Sequence, residues 1–212
     1  MDKKWIIIAI ITVAIIFLTE VLRRVLTNYY SKQLMNQLLS SDFNGFFDTL
    51  NKKIVQYLLP PFNRDYLKLN AYIAQSDKKK TDELFKSFET KYLNAAQKEA
   101  VNTKGFFYYL SLEEKGNTRK YYDRLMETLT DEVQKRDIDR LFNTYIVKGK
   151  KYLKETLEEI EDAPIEAKGQ LEALVAKMYE NDGNEEESDK HLDLAMMYQQ
   201  QLIHKTEKEK EE

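Results

Sequence analysis

The apolar residues of this chain are spaced as in helices almost from end to end. Phe106/Phe107/Leu110, Leu141/Tyr145 and Leu171/Leu174/Val175/Met178 recur at intervals of three and four, as do Tyr121/Tyr122/Leu125/Leu129, Leu153/Leu157/Ile160 and His191/Leu192/Ala195. Residues so spaced share one face of an α-helix, and stripes this wide can pack on two neighbours. No segment alternates as a strand does. The stripes come in pairs separated by short polar breaks. Gly116, Gly149 and Gly183 mark three of these breaks, 33 and 34 residues apart, and earlier breaks near Lys78 and Asp42 lie 38 and 36 residues further back. A recurring period of this length marks an array of helical repeats.

Each break is expected to be a turn between two helices. Glycine takes the left-handed conformation that ends a helix without steric cost. Asn117 and Asn184, directly after Gly116 and Gly183, suit the N-cap of the returning helix. Glu185, Glu186 and Glu187 would then sit in a first turn, where negative charge meets the positive end of the helix dipole. Pro60-Pro61 and Pro164 each close one hairpin and open the next.

This pattern resembles the tetratricopeptide-repeat family of helix-turn-helix arrays. That family has a large residue four before the hairpin glycine, matched by Leu112, Tyr145 and Tyr179, with Ala74 in the earlier unit. Its terminal proline is matched by Pro60/Pro61 and Pro164. The small residue seven before the glycine is Ala176 or Ala71 in two units but Tyr109 and Phe142 in the others, and the small residue five after it is Ser188 once but Tyr121 and Lys154 elsewhere. The resemblance spans about Asp42 to Leu202 and is divergent. It implies an all-α superhelix of about four to five hairpins over residues 28–204, and it implies protein or peptide binding. The tail, 205–212, is charged and free of apolar residues and is expected to be disordered.

Ahead of the array, "WIIIAIITVAIIFL" (Trp5 to Leu18) is polar only at Thr12, and the run extends to Leu22. Eighteen helical residues reach about 27 Å at ~1.5 Å each, close to a hydrocarbon core of ~30 Å. Residues 1–27 are therefore expected to form a short tail and a single membrane anchor. Trp5 would sit at one interface, Ile10, Ile16 and Leu18 in the lipid, and Arg23 and Arg24 at the far interface. No small-x-small cleavage site follows the run, which argues against a cleaved signal. The expected localisation is the cell membrane, single-pass, with the large domain outside the cytoplasm because a short tail with Lys3 and Lys4 is awkward to translocate; the cytoplasmic face is the alternative, since Arg23, Arg24 and Lys32 follow the span.

Composition narrows the function. A third of the residues are charged, yet Lys+Arg (33) and Asp+Glu (36) nearly cancel, leaving −3. No broad basic surface for nucleic acid results. The absence of cysteine removes thiolate chemistry, and two histidines leave little with which to build a catalytic or metal site. "ENDGNEEESD" fails as an EF-hand loop, because Met178 would have to be the first ligand. His191 falls on an apolar face, where a packed or hydrogen-bonded histidine is the ordinary occupant. No cofactor is implied.

Aromatic residues are the remaining clue. Tyr108, Tyr109, Phe142 and Tyr145 are the candidate partner-binding residues, able to line a concave groove, although core packing is the commoner use of such rings. The expected function is a membrane-anchored, non-enzymatic scaffold or adaptor that binds an unknown protein or peptide. The alternative is a structural bundle that self-associates, a homo-oligomer without an open groove.

Overall fold

The computed structural model describes the backbone of residues 3–211 and the side chains of 12–13 and 16–205. All regular structure among the described residues is helical. The chain divides into two compact units, residues 1–93 and 94–212. The first holds α1 (Lys3–Leu39), α2 (Phe43–Leu50), α3 (Lys53–Leu58), α4 (Pro61–Ala74) and α5 (Lys78–Glu89). The second holds α6 (Ala95–Ser111), α7 (Lys115–Thr128), α8 (Glu132–Phe142) with a π-helical turn Asn143–Val147 at its end, α9 (Leu153–Asp162), α10 (Ile165–Asn181) and α11 (Glu185–Glu211).

Five turns punctuate the chain, each carrying one residue in the left-handed conformation: Ser41, Ser76, Glu113, Lys148 and Gly183, at intervals of 35, 37, 35 and 35 residues. Four of them share one hydrogen-bond pattern. The amide after the left-handed residue donates to the carbonyl five back, Asp42 to Gln37 (2.8 Å), Asp77 to Tyr72 (2.9 Å), Glu114 to Tyr109 (3.0 Å) and Asn184 to Tyr179 (3.0 Å). These are Schellman closures, which satisfy carbonyls a helix end leaves open. Asp42, Asp77 and Asn184 then cap the next helix by accepting from the amides of Gly45, Lys80 and Glu187.

The glycines are therefore not the common element. Gly183, at φ 75°, fills the expected role, with Asn184 as the cap. Gly116 lies inside the first turn of α7, where Glu113 bends the chain and Glu114 stands at the N-cap; Asn117 bonds the Glu114 carboxylate at 2.8 Å and caps nothing. At the fourth turn Lys148, not Gly149, is left-handed. A left-handed L-residue costs roughly 1–2 kcal/mol, and the closure bonds offset it.

A second repeated feature lies four residues after the N-cap. Thr81, Thr118 and Thr156 are fully buried, and each hydroxyl donates back to the carbonyl of the cap residue, Asp77 (2.9 Å), Glu114 (2.9 Å) or Tyr152 (2.8 Å). Ser188 takes this place in α11 and bonds the Ala176 carbonyl of α10 at 3.0 Å. A small hydroxyl at this point lets the paired helices approach while leaving no polar atom unpaired.

The core of the first unit gathers Leu34 of α1, Phe46 and Leu50 of α2, Val55 of α3 and Ala71 of α4. In the second unit Tyr109 stacks on Tyr121 at 5.6 Å, closing α6 on α7 over Gly105; a Cβ there would come within 2.7 Å of the Tyr121 ring. Tyr122 stacks on Phe142 at 4.0 Å and carries the packing into α8. Tyr152, Leu174 and Met178, then Ile160, Leu171 and Val175, continue it to α10.

Among the described residues, no helix is long and apolar enough to cross a membrane. This overturns the single-pass anchor, the cell-membrane localisation and the orientation derived from it. After Ile16, Phe17 and Leu18 the described part of α1 meets Glu20, Arg23, Arg24 and Lys32, too much charge for a span. Glu20 accepts from Arg23 twice at 2.8 Å and from Arg24 at 3.1 Å, and these bonds hold its carboxyl down at about 2. Arg23 and Arg24 thus serve their own helix. The side chains of Trp5 and Ile10 lie outside the described residues. Ile16, Phe17, Leu18, Leu22 and Val25 are each more than half exposed.

Candidate binding surface

The widest departure from regular helix in the second unit is the π-turn that ends α8. Its register admits one residue more than an α-turn, so the closure bond lengthens as well: the Gly149 amide reaches the carbonyl of Asn143, six back, at 2.9 Å. Asn181, at the end of α10, holds the turn from outside by donating from Nδ2 to the carbonyls of Thr144 (2.8 Å) and Gly149 (3.3 Å). Lys150 and Asp182 meet beside it at 2.5 Å. A Cβ at position 149 would stand 2.5 Å from the Asn143 side-chain oxygen, so that side chain would have to shift to admit one.

Between this turn and α10 lies a cleft of about 410 Å³ whose lining includes Asp137, Arg140, Leu141, Tyr145, Gln170 and Leu174. Arg140 is nearly buried at its base. Its guanidinium donates to Glu159 (2.5 Å) and Thr156 (3.4 Å) of α9 and to Asp137 (3.0 Å) of its own helix. Two carboxylates therefore offset one cation, and the cleft does not present free positive charge to an anion. Arg140 acts as a cross-link that fixes α8 on α9. Tyr145 is different: it is 39% exposed and its hydroxyl makes no hydrogen bond among the described residues. Partial burial pushes its phenol up, so it stays protonated and available as a donor. With Leu141, Leu174 and the Gln170 amide around it, the cleft offers apolar area with a few polar groups that set orientation, the usual make-up of a recognition pocket.

The four aromatic candidates do not form one surface. Tyr109 and Phe142 are buried, each spent on a ring stack, and Arg119 lies over Phe142 at 5.1 Å. Tyr108 is half-buried, edge-on to Tyr109. Only Tyr145 reaches the cleft. Sequence reasoning missed Arg140, Asp137 and Gln170. An arginine between Ile138 and Leu141/Phe142 on an apolar stripe was the available signal for the first of these.

Two further polar clusters are structural. Asp139 receives the hydroxyl of Tyr122 (2.7 Å), the Lys151 ammonium (2.8 Å) and the hydroxyl of Tyr152. Burial works against its charged form, but the bonds from Lys151, Tyr122 and Tyr152 outweigh it and hold the carboxyl below its usual range. Burial and the bond to Asp139 push Tyr122 up to about 12, while Lys151 is raised chiefly by its hydrogen bond to Asp139. All of these groups keep one protonation state near neutral pH, so the cluster has no proton to trade. The second pair joins α10 to α11: His191 Nδ1 lies 2.5 Å from Glu172 Oε2, and its ring stacks on Tyr179 at 5.4 Å. This is the packed, hydrogen-bonded histidine expected on the apolar face. Among the described residues, no group of three or more metal-ligating side chains is placed to hold an ion.

No family model matches the chain, and no curated protein and no solved structure is similar to it.

Proposed function

We propose that the chain is a tetratricopeptide-like, non-enzymatic scaffold that binds a segment of another protein at the cleft between the π-turn and α10. The observation that carries this reading is Tyr145, a 39% exposed ring whose hydroxyl makes no hydrogen bond among the described residues, in a cleft that sets Leu141, Leu171, Ala173 and Leu174 beside Asp137, Arg140 and Gln170. The turn register supports the family likeness. Counted from the left-handed residues instead of the glycines, three of the five units match: the large position four before is Tyr72, Tyr109 and Tyr179 and the small position five after is Thr81, Thr118 and Ser188, whereas the units at Ser41 and Lys148 carry Gln37 and Thr144, then Phe46 and Leu153. An array of this kind presents first helices of successive hairpins side by side, and α8 with its π-turn and α10 are two such helices. The scarcity of free charge in the cleft favours a peptide with an aromatic or aliphatic anchor and a hydrogen-bond acceptor for Tyr145.

A different observation favours self-association as a second reading: the described outer residues of α1, Ile16 to Val25, expose large apolar side chains. Selection of a random-peptide library against the full chain tests the first reading. Enriched peptides should share an apolar anchor and bind Tyr145→Ala about tenfold more weakly; enrichment of peptides indifferent to Tyr145 and Leu174 sinks it.

A further inference from the structure

Helix α1 carries two apolar faces, and its own unit covers one of them. Tyr30, Leu34 and Leu38, at intervals of four, pack in one cluster with Phe46 and Leu50 of α2 and Val55 of α3. Leu34 is fully buried there, so this inner face fixes the rotation of the helix. On the 3.6-residue turn, Leu18, Leu22, Val25 and Tyr29 lie on the opposite side, and each is more than half exposed. Tyr29 meets Tyr30 edge to face at 5.2 Å, which holds the last ring of the outer stripe against a residue of the inner one. The outer four recur at steps of four, three and four. That alternation is the spacing of a coiled-coil seam, in which each side chain enters a hole among four residues of the facing helix. The same steps continue back along the sequence to Ile15, Ile11 and Ile8, and forward to Lys32 and Asn36, which end the stripe.

Charge is absent from the stripe and from its flanks. The positions beside the seam hold Thr19, Val21, Leu26 and Asn28. In seams that select a foreign helix, these are the places where acidic and basic residues choose the partner and its orientation. Between Thr12 and Ser31 the only charged residues are Glu20, Arg23 and Arg24, which stand outside the seam and bond one another. Two identical stripes can therefore meet without opposing like charges, and the spacing of each supplies the holes that the other fills. Building on the self-association reading, we propose that the outer stripe of α1 is a two-fold seam, occupied by the same stripe of a second copy. The cleft of about 480 Å³ between α1 and α3, whose lining includes Ile54, Tyr57 and Leu58, stays free in this arrangement.

Light scattering of the full chain across a dilution series should give about twice the 25.2 kDa chain mass. Val25→Glu and, separately, Val25→Lys should return the monomer mass with an unchanged far-ultraviolet spectrum, because each sets like charges against one another in the seam. An equimolar mixture of the two variants should recover the dimer, since opposite charges then face each other. Tyr57→Lys, in the cleft beside α3, should leave the dimer intact. A monomeric wild type overturns the seam and the self-association reading together, and so does one that stays monomeric but sediments with phosphatidylcholine vesicles. A dimer that survives both Val25 variants, or one dispersed only by Tyr57→Lys, overturns the seam and leaves self-association to another surface. Failure of the mixture to recover the dimer overturns the seam as well.

Discussion

Asn181 donates a hydrogen bond to the main-chain carbonyl of Thr144 at 2.8 Å, so a side chain at the end of α10 closes a π-turn 37 residues earlier in the chain. A second bond from the same nitrogen reaches Gly149 at 3.3 Å. The irregular backbone that carries Tyr145 to the cleft thus takes two bonds from one side-chain amide besides its own closure bond from Gly149 to Asn143. Asn181→Ala should cost about 1–3 kcal/mol, the range for leaving a part-buried acceptor unsatisfied, measured by urea unfolding. It should also weaken a cleft-directed peptide, because Tyr145 loses its support. Unchanged stability would show that the turn holds itself.

Arg140 and Glu159 tie α8 to α9 at 2.5 Å. Glu159→Gln should destabilise the fold by about 1–2 kcal/mol, less than for a fully buried pair because the glutamate is partly exposed and Asp137 remains. Arg140→Met with Glu159→Leu should recover most of that loss, since an apolar pair of similar size removes both the attraction and the desolvation cost. A double-mutant cycle on unfolding free energies checks both statements.

Two glycines that look alike in sequence should respond oppositely to alanine. Gly116 lies in α7 without positive φ and has open space where a Cβ would go. Gly116→Ala should stabilise by about 0.5–1 kcal/mol through helix propensity. Gly183 holds φ 75°, and Gly183→Ala should destabilise by about 1–2 kcal/mol. Thermal unfolding of the two variants side by side decides the matter.

The Asp139 cluster sets two pH limits. Asp139 is depressed in the folded state, so its contribution is present above its ordinary pKa of 3.8 and is lost as pH falls through the lower folded value. Tyr122 is raised from 10.0 to about 12, so its contribution is complete below 10.0 and is lost as pH rises towards 12. Tyr122→Phe should flatten the alkaline limb of the stability profile and also shrink the acid limb in part, because its hydroxyl is one of three donors that hold the Asp139 carboxyl down. Asp139→Asn should reduce both, because Tyr122 loses the charge that helps hold its proton.

The helical class and the positions of all five breaks were legible from apolar spacing, because a 3.6-residue stripe survives any choice of surface residue. The register was not, because glycine is the strongest single sign of a left-handed turn. In this chain Ser41, Ser76, Glu113 and Lys148 take that conformation instead, supported by closure bonds that no residue type announces. Thr81, Thr118 and Thr156 carry the period more faithfully, yet threonine in a helix looks unremarkable until its hydroxyl is seen to bond the cap carbonyl. The membrane reading of residues 5–22 gave weight to an apolar run and too little to Glu20, whose bonds to Arg23 and Arg24 mark ordinary helix surface. In the cleft, Tyr145 was legible as an aromatic candidate. Gln170 was not, since it meets Tyr145 only after α8, α9 and α10 have folded together.

The most direct test of the central claim is amide chemical-shift mapping of the full chain with a library-selected peptide. Saturable shifts should concentrate at Leu141, Tyr145, Gln170 and Leu174 and vanish in Tyr145→Ala. Shifts confined to the first unit, or a map at the cleft that Tyr145→Ala leaves intact, would contradict a peptide-binding cleft built around the π-turn.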